Sequence, residues 1–229
     1  MEQAPQHSDA PSPAIIFDML LAFQRTAALR AAVELDLFNA VGEGPADATS
    51  LARKCSASER GTRILCDYLV IMGLLVKEGA LYRHSPTSAT FLDPRSPACV
   101  ASMTRFMAAP EMIEPFNHLA DIVRNGRTSL PGEGSVSADN PVWVEFAHSM
   151  APMMAPLAGP LGEIALGGQT GDSVDVLDIA AGHGLFGIEV AKQCPAAQIT
   201  ALDWAAVLEV AAANAADRKS TRLNSSHRH

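Results

Sequence analysis

Residues 174–203 follow an order of elements that few folds can accommodate. Residues 174–179 (VDVLDI) are mostly apolar and β-prone, as expected of a strand that is buried on both faces of a parallel sheet. The small-residue segment 180–187 (AAGHGLFG) comes next, before a helical run at 188–193 and a second apolar strand at 198–202 that ends at Asp203. Strand, glycine-rich turn, helix, strand and acid is the order of a βαβ unit in an open, Rossmann-like sheet.

Each part of this unit suits the binding of a nucleoside. Gly182 and Gly184 let the backbone turn sharply and approach a ligand, because no Cβ stands in the way. The helix behind the turn offers free backbone N–H groups in its first turn. Asp203 ends the second strand, where a carboxylate can accept hydrogen bonds from both hydroxyls of a ribose. We therefore expect a ligand site at the carboxyl ends of the two strands.

The residues themselves leave two kinds of cofactor open. Gly182, Gly184 and Gly187, with Asp203 following at the right distance, satisfy the dinucleotide fingerprint of an NAD-dependent oxidoreductase. Asp178, four residues before Gly182, favours the other kind. A carboxylate there would repel a pyrophosphate but would suit a ligand with an ammonium group. The unit also follows some 170 residues of largely helical sequence, whereas a dinucleotide-binding fold often begins with it.

The first hundred residues have the element order of a winged helix-turn-helix. Apolar residues recur at helical spacing over residues 14–38, and the run VGEGP at 41–45 interrupts them. A short helix is predicted around residues 50–54. The pair Ser56 and Glu59 predicts a capping box at the start of the next helix, which Gly73 ends. Strands at 74–76 and 81–83 then flank the turn residues Glu78 and Gly79.

The charges of this motif argue against DNA recognition. Acidic residues stand among the basic ones on the candidate recognition helix and hairpin: Arg60, Arg63, Lys77 and Arg83 are accompanied by Glu59, Asp67 and Glu78. The net charge of the chain is -8, although four of its basic residues fall within the last twelve positions. Nonspecific nucleic-acid binding requires neutralisation of phosphates by Lys and Arg. We therefore expect a scaffold for packing or dimerisation and no nucleic-acid partner, with a winged-helix regulator carrying a ligand-sensing domain as the non-enzyme alternative.

The middle of the chain predicts further helices. Residues 98–125 are helical and Met-rich, residues 125–141 predict a loop, and residues 143–166 predict a helix that Pro152, Pro156 and Pro160 break or kink.

The sequence contains no run of about 18 uncharged apolar residues, so it predicts no membrane span. The first residues lack the layout of a signal peptide, so we expect a cytoplasmic protein. The four cysteines form no close pair, which predicts reduced thiols and no metal site.

Two segments resemble a known enzyme family. Residues 176–184 (VLDIAAGHG) are similar to the first motif of class I S-adenosylmethionine-dependent methyltransferases, with Ala180 where the family usually has Gly. Residues 201–204 (ALDW), followed by VLEVA at 207–211, resemble the second strand of that family and its acid. The winged-helix front resembles the dimerisation domain of small-molecule O-methyltransferases of the caffeate and hydroxyindole type. The resemblance covers roughly residues 14–216.

The resemblance implies a cofactor, S-adenosyl-L-methionine, and a role for each residue that matches a motif. Asp203 would hold the ribose hydroxyls and Trp204 would lie against the adenine. The residues that would surround the methionine end of the cofactor are Asp178, Ala180, Gly182 and Gly184. His183 stands at a position that tolerates many residue types in the family, so we assign it no catalytic role.

The resemblance also implies an acceptor site and a dimer. In such enzymes a helix before the first motif borders the cofactor and the acceptor. Here it would contribute His148 to the cofactor site and Phe146 and Met150 to the acceptor site, although Met and Phe at helical spacing also suit a core. The implied acceptor is a hydroxylated small molecule, and the implied partner is a second copy of the chain.

The resemblance finally predicts an organisation and an incomplete enzyme. We expect a mainly α winged-helix dimerisation domain followed by the incomplete start of an α/β Rossmann-like methyltransferase domain. The expected segments are a flexible leader at 1–13, the winged-helix domain at 14–105, a helical connector at 106–170, the first βαβ of the methyltransferase domain at 171–216 and a tail at 217–229.

A class I sheet needs about seven strands, and the sequence predicts two. The histidine base of the family has no counterpart here, so we nominate no catalytic residue and expect an N-terminal fragment that is inactive alone. The segment DRKSTRLNSSH at 217–227 resembles translated sequencing adapter, which predicts a non-native tail.

Overall fold

The computed structural model describes residues 11–127, 142–169 and 173–217, together with the backbone of residues 223–227. These residues form eleven helices and five strands. The N-terminal elements are α1 (Ala14–Glu34), α2 (Leu37–Gly42), α3 (Ala48–Lys54), α4 (Glu59–Ile71), β1 (Leu75–Glu78), β2 (Leu81–His84) and α5 (Pro86–Phe91). The later elements are α6 (Met103–Met107), α7 (Pro110–Asn117), α8 (Leu119–Asn125), α9 (Val142–Leu166), β3 (Asp175–Ile179), α10 (Leu185–Gln193), β4 (Gln198–Asp203), α11 (Ala205–Asp217) and β5 (Leu223–His227).

Helices α3 and α4 and the hairpin β1–β2 form the predicted winged helix-turn-helix. The hairpin is antiparallel, with Glu78 opposite Leu81 and Gly79 at φ +61° in the turn. The predicted capping box is wrong by two residues, because Ser58 is the N-cap of α4 and its Oγ accepts a hydrogen bond from Gly61 N at 3.2 Å. Ser56 lies two residues before this N-cap and has a φ of +52°.

The first predicted helix is two helices. Apolar spacing continues from α1 into α2, which is why the sequence predicted one helix over residues 14–38. Asp36 breaks it by adopting φ +54°, and its carboxylate accepts a hydrogen bond from the Asn39 side chain at 2.7 Å. Asp and Asn tolerate the left-handed region better than other non-glycine residues do. The break turns α2 toward the core of the winged-helix region.

The region between residues 98 and 166 differs from its prediction in two ways. The helical segment at 98–125 is three short helices, α6 to α8, and Pro110 begins the second of them. Gly126 ends α8 in the left-handed conformation, and residues 128–141 of the predicted loop lie outside the described residues. Helix α9 is unbroken through Pro152, Pro156 and Pro160, so the predicted break is wrong and a kink stays a prediction. Its packing on α6 and α10 stabilises it despite the missing N–H groups.

The predicted βαβ unit is present, and α10 begins three residues earlier than the sequence predicted. Strands β3 and β4 are parallel, with Asp178 opposite Ala201 and Ile179 opposite Leu202. The prediction of only two strands is wrong, because β5 pairs in parallel with the other edge of β4, inside the segment predicted to be a non-native tail. An open strand edge presents unpaired N–H and C=O groups, which a further strand can satisfy.

Strand β3 is not buried on both faces. Leu177 and Ile179 are 57% and 68% exposed, whereas Val176 packs in the cluster that contains Ile199. The described helices α10 and α11 cover the face of Ile199 and Ala201 and leave the opposite face open.

Within the described residues, no helix is long and apolar enough to cross a bilayer, and no group of acidic, His and Cys side chains could hold a metal ion.

Candidate cofactor site

The turn between β3 and α10 is built from left-handed residues. Ala180, Gly182 and Gly184 have φ values of +57°, +55° and +72°. Hydrogen bonds from Ala180 N to Leu202 O at 2.9 Å and from Gly184 N to Ala181 O at 2.8 Å fix the turn to β4 and to itself. Two of the three positions are glycines, which adopt this conformation without strain. Ala180 adopts it at a steric cost of about 1–2 kcal/mol.

Asp203 joins the second strand to this turn. Its Oδ2 accepts a hydrogen bond from Gly182 N at 2.8 Å, and its Oδ1 accepts one from Trp204 N at 2.7 Å. The carboxylate is therefore held in one orientation by two backbone donors. Each oxygen retains a further lone pair, so the group can still accept hydrogen bonds from two hydroxyls of a ligand.

Asp178 lies on the other side of the turn. Its Oδ2 accepts a hydrogen bond from Gly187 N in the first turn of α10 at 3.3 Å. Burial raises the pKa of Asp178, and the nearby charge of Asp203 raises this pKa further, while the Gly187 hydrogen bond lowers it. None of the charges that act on it is positive. The turn is thus flanked by two carboxylates, and among the described residues the charge that acts on Asp178 is that of Asp203.

Trp204 follows Asp203 and starts the connection to α11. Its half-buried indole packs on a cluster that joins α9 to α11, formed by Trp143, Val144, Ala147, Val207 and Val210. The structure therefore brings Asp178, Ala180, Gly182, Gly184, Asp203 and Trp204 together at the carboxyl ends of β3 and β4. Their roles toward a cofactor stay predictions.

Three residues of α9 were predicted to lie at the cofactor or acceptor site. Phe146 is half-buried and makes edge-on ring contacts with Phe106 and Trp143, at centroid distances of 5.1 Å and 5.8 Å. Met150 is half-buried and His148 is exposed. Among the described residues, no hydrogen bond joins His148 to the turn. The assignment of His148 to the cofactor and of Phe146 and Met150 to the acceptor stays a prediction.

Sequence reasoning missed three residues that hold the turn. His183 is 6% exposed, and its Nδ1 accepts a hydrogen bond from Leu185 N at 3.1 Å, so the imidazole caps α10. The His183 carbonyl accepts a hydrogen bond from Asn214 Nδ2 at 2.8 Å. A Cβ on Gly184 would lie 2.8 Å from the Cβ of Ala211. The polar residue before α10 was a signal for the cap, but nothing in the sequence links residues 183 and 214.

Comparison with known proteins decides the family. Residues 17–94 match the O-methyltransferase dimerisation domain. The chain is 44% identical to a candidate O-methyltransferase from Nostoc punctiforme of known structure, over 96% of this chain and 66% of that one, with a TM-score of 0.89. The chain belongs to the O-methyltransferase family.

Other relatives in the O-methyltransferase family agree with this placement. Acetylserotonin O-methyltransferase of Mus musculus is 30% identical over 212 residues, which are 87% of this chain and 54% of the relative. The structure of mitomycin 7-O-methyltransferase is 27% identical over 92% of this chain and 64% of that one, with a TM-score of 0.74. The chain thus spans about half the length of the first curated relatives that it matches and about two thirds of the solved chains.

Proposed function

We propose that this chain carries the cofactor-binding part of an S-adenosyl-L-methionine-dependent O-methyltransferase that acts on the hydroxyl of a small molecule. Its relatives include enzymes named for acetylserotonin, tetracenomycin and mitomycin compounds. The comparisons support neither an NAD-dependent oxidoreductase nor a winged-helix regulator. A cytoplasmic location stays a prediction.

The observation that carries the proposal is the pair of carboxylates beside the glycine turn. Asp178 is partly buried, and this burial and the nearby charge of Asp203 both raise its pKa. An ammonium group would lower the pKa of Asp178 again, since a nearby cation favours the ionised carboxylate. A pyrophosphate would add negative charge at the same place. The residues therefore fit S-adenosyl-L-methionine better than NAD.

The residues of the chain would hold and orient this cofactor. S-adenosyl-L-methionine supplies an electrophilic methyl group on a sulfonium. Asp203, fixed by Gly182 N and Trp204 N, would accept hydrogen bonds from the ribose hydroxyls. Asp178 would pair with the ammonium group, and the turn around Gly182 would let the backbone approach the ligand. Such positioning supplies a large part of the rate acceleration of group-transfer enzymes. No described residue is assigned as the base for the acceptor hydroxyl.

Calorimetry tests the cofactor. We expect S-adenosylhomocysteine to bind the chain and NAD not to bind. Asp178→Asn should weaken S-adenosylhomocysteine binding and should raise the free energy of unfolding at neutral pH, because a carboxylate with a raised pKa opposes folding when it is ionised. Asp175→Asn, on an exposed position of the same strand, is the matched control and should change neither quantity. Tight binding of NAD alone would refute the proposal.

We further propose that α1 forms a homodimer interface. The first half of this helix is apolar apart from Asp18 and Gln24, and its large apolar side chains are 48–73% exposed: Ile15, Ile16, Phe17, Met19, Leu20, Leu21 and Phe23. A contiguous exposed apolar surface of this kind marks a site of protein–protein contact. The matched dimerisation domain begins at residue 17, within this segment. A second copy of the chain would supply the cover.

Light scattering tests the dimer. Leu20→Glu places a charge in the exposed apolar segment and should convert the dimer to a monomer. Gln24→Glu adds the same charge at an exposed polar position of α1 and should leave the mass unchanged. A monomeric unmodified chain would contradict the dimer without bearing on the cofactor.

A further inference from the structure

One face of helix α11 packs against the glycine turn. Leu208 packs with Ala181 at the start of the turn, and Ala211 lies against Gly184 at its end. Asn214 follows Ala211 by three residues in α11, and its side-chain N–H donates a hydrogen bond to the His183 carbonyl at 2.8 Å. These three residues recur at three-residue spacing, which places them on one side of the helix.

The Asn214 hydrogen bond connects the two ends of the candidate site. Helix α11 begins directly after Asp203 and Trp204, the residues expected at the ribose and the adenine. The His183 carbonyl belongs to the turn that is expected at the methionine end. Asn214 is thus the polar side chain by which α11 holds the middle of the turn.

Contacts from outside the turn can stabilise its strained backbone. It contains three left-handed residues, and one of them, Ala180, is not glycine. Strained backbone persists where the surrounding structure over-determines it. His183 is buried, so its carbonyl would lose a hydrogen bond that water could not readily replace if the amide of Asn214 were removed.

We propose that Asn214 is a positioning residue for cofactor binding, which holds the glycine turn in the conformation that receives the methionine end of the ligand. The proposal rests on the proposed function, because it presumes that S-adenosyl-L-methionine binds at this turn. It assigns Asn214 no contact with the ligand. Its effect is transmitted through the His183 carbonyl.

Two ligands separate positioning from simple stabilisation. S-adenosylhomocysteine uses both ends of the site, whereas adenosine uses only the nucleoside end. Asn214→Asp keeps the shape of the side chain but removes the donor and repels the carbonyl. We expect it to weaken S-adenosylhomocysteine about tenfold, the change that about 1.4 kcal/mol produces. The affinity for adenosine, measured by NMR titration, should stay nearly constant.

Three further variants complete the test. Ala213→Asp adds the same charge at an exposed position of the same helical turn and should bind both ligands normally. Asn214→Gln retains the amide donor and should restore part of the affinity for S-adenosylhomocysteine. If Asn214→Asp does not fold, Asn214→Ser, which is too short to reach the carbonyl, replaces it in the same comparison.

The outcomes distinguish this proposal from the proposed function. Equal affinity of the unmodified chain and Asn214→Asp for S-adenosylhomocysteine would overturn the role of Asn214 and leave the proposed function intact. A parallel loss for both ligands would also overturn it, because that result marks a structural role. If the unmodified chain does not bind S-adenosylhomocysteine, both proposals fall.

Discussion

The winged-helix region (α1 to α5) and the α/β region (β3 to α11, with α9 packed on it) differ in how their apolar side chains are covered. The winged-helix region has one continuous cluster of eleven buried residues, which includes Leu37, Leu51, Leu69, Leu75 and Tyr82. The described part of the α/β region has four separate clusters, and the largest contains five buried residues. Its sheet also leaves Leu177 and Ile179 exposed. The first region forms a core of its own. The stability of the second region depends on packing against α9 and on a few side-chain hydrogen bonds.

The aromatic residues allow the two regions to be followed separately. Both tyrosines, Tyr68 and Tyr82, lie in the winged-helix region, and both tryptophans, Trp143 and Trp204, lie in α9 or after β4. Second-derivative absorbance therefore reports the first region, and tryptophan fluorescence reports the second. We expect the tryptophan transition at the lower urea concentration.

The largest effect is expected from Leu69→Ala. Leu69 is 1% exposed at the centre of the winged-helix core, and such truncations cost about 2–5 kcal/mol. The tyrosine midpoint should fall far more than the tryptophan midpoint. Ile71→Ala, 75% exposed on the same helix, should change the free energy of unfolding by less than about 0.5 kcal/mol. Equal shifts of both midpoints would show that the regions unfold as one unit.

The next largest effect is expected from Gly184→Ala. The new Cβ would lie 2.8 Å from the Cβ of Ala211 at a φ of +72°. We expect a loss of about 2–4 kcal/mol from backbone strain and overpacking, seen in the tryptophan transition. Gly167→Ala has a similar φ of +55° with open space around it, so it should lose only the strain energy. A loss no larger than that of Gly167→Ala would contradict the packing of α11 on the turn.

A smaller effect is expected from Asp67→Asn in the winged-helix region. Asp67 accepts hydrogen bonds from Lys77 Nζ at 2.6 Å and Tyr82 Oη at 2.7 Å, and the Lys77 hydrogen bond is the main reason for its lowered pKa. Because the group is one third exposed, we expect a loss of about 1 kcal/mol at neutral pH. A lowered folded-state pKa stabilises the fold above the unfolded pKa, and this contribution disappears as the pH falls through the folded value. The difference between Asp67→Asn and the unmodified chain should therefore vanish in acid.

A control for this pH effect comes from α8. Asp121→Asn removes an exposed ion pair with Arg124, and we expect almost no change in stability at any pH. If Asp121→Asn and Asp67→Asn gave the same pH profile, the hydrogen bonds to Asp67 would have no particular importance.

The smallest effect is expected from Ala180→Gly, and it is a gain. Glycine removes about 1–2 kcal/mol of left-handed strain but adds about 0.4–1 kcal/mol of unfolded-state entropy. The tryptophan midpoint should therefore rise slightly. Ala181→Gly, at the neighbouring buried position, has no such strain to relieve and should lower the midpoint. A lower midpoint for Ala180→Gly would indicate that the turn is not strained.

Local signals predicted much of the fold and part of the site. The βαβ unit was predictable because the glycines, the apolar strands and Asp203 are close in sequence and each favours the same structure. The hairpin was predictable from Glu78 and Gly79 for the same reason. These features lead to the same elements that the structure contains.

Other features depend on contacts that sequence patterns do not reveal. The break at Asp36 was missed because the apolar spacing continues across it. Helix α9 passes three prolines because neighbouring helices pack on it, which is a tertiary effect. The bond from Asn214 to the His183 carbonyl joins residues 31 positions apart. The exposure of Leu177 and Ile179 depends on which helices cover the sheet, and an apolar strand does not specify them.

The prolines of α9 have a mechanical consequence. Pro152, Pro156 and Pro160 stand four residues apart, and each leaves the carbonyl one turn earlier without its intrahelical donor. The missing donors all belong to the same side of the helix, so α9 resists bending less on that side than on the others. Since α9 contacts α6 as well as α10 and α11, the stiffness of the link between the two regions resides in side-chain packing more than in the backbone of the helix that joins them.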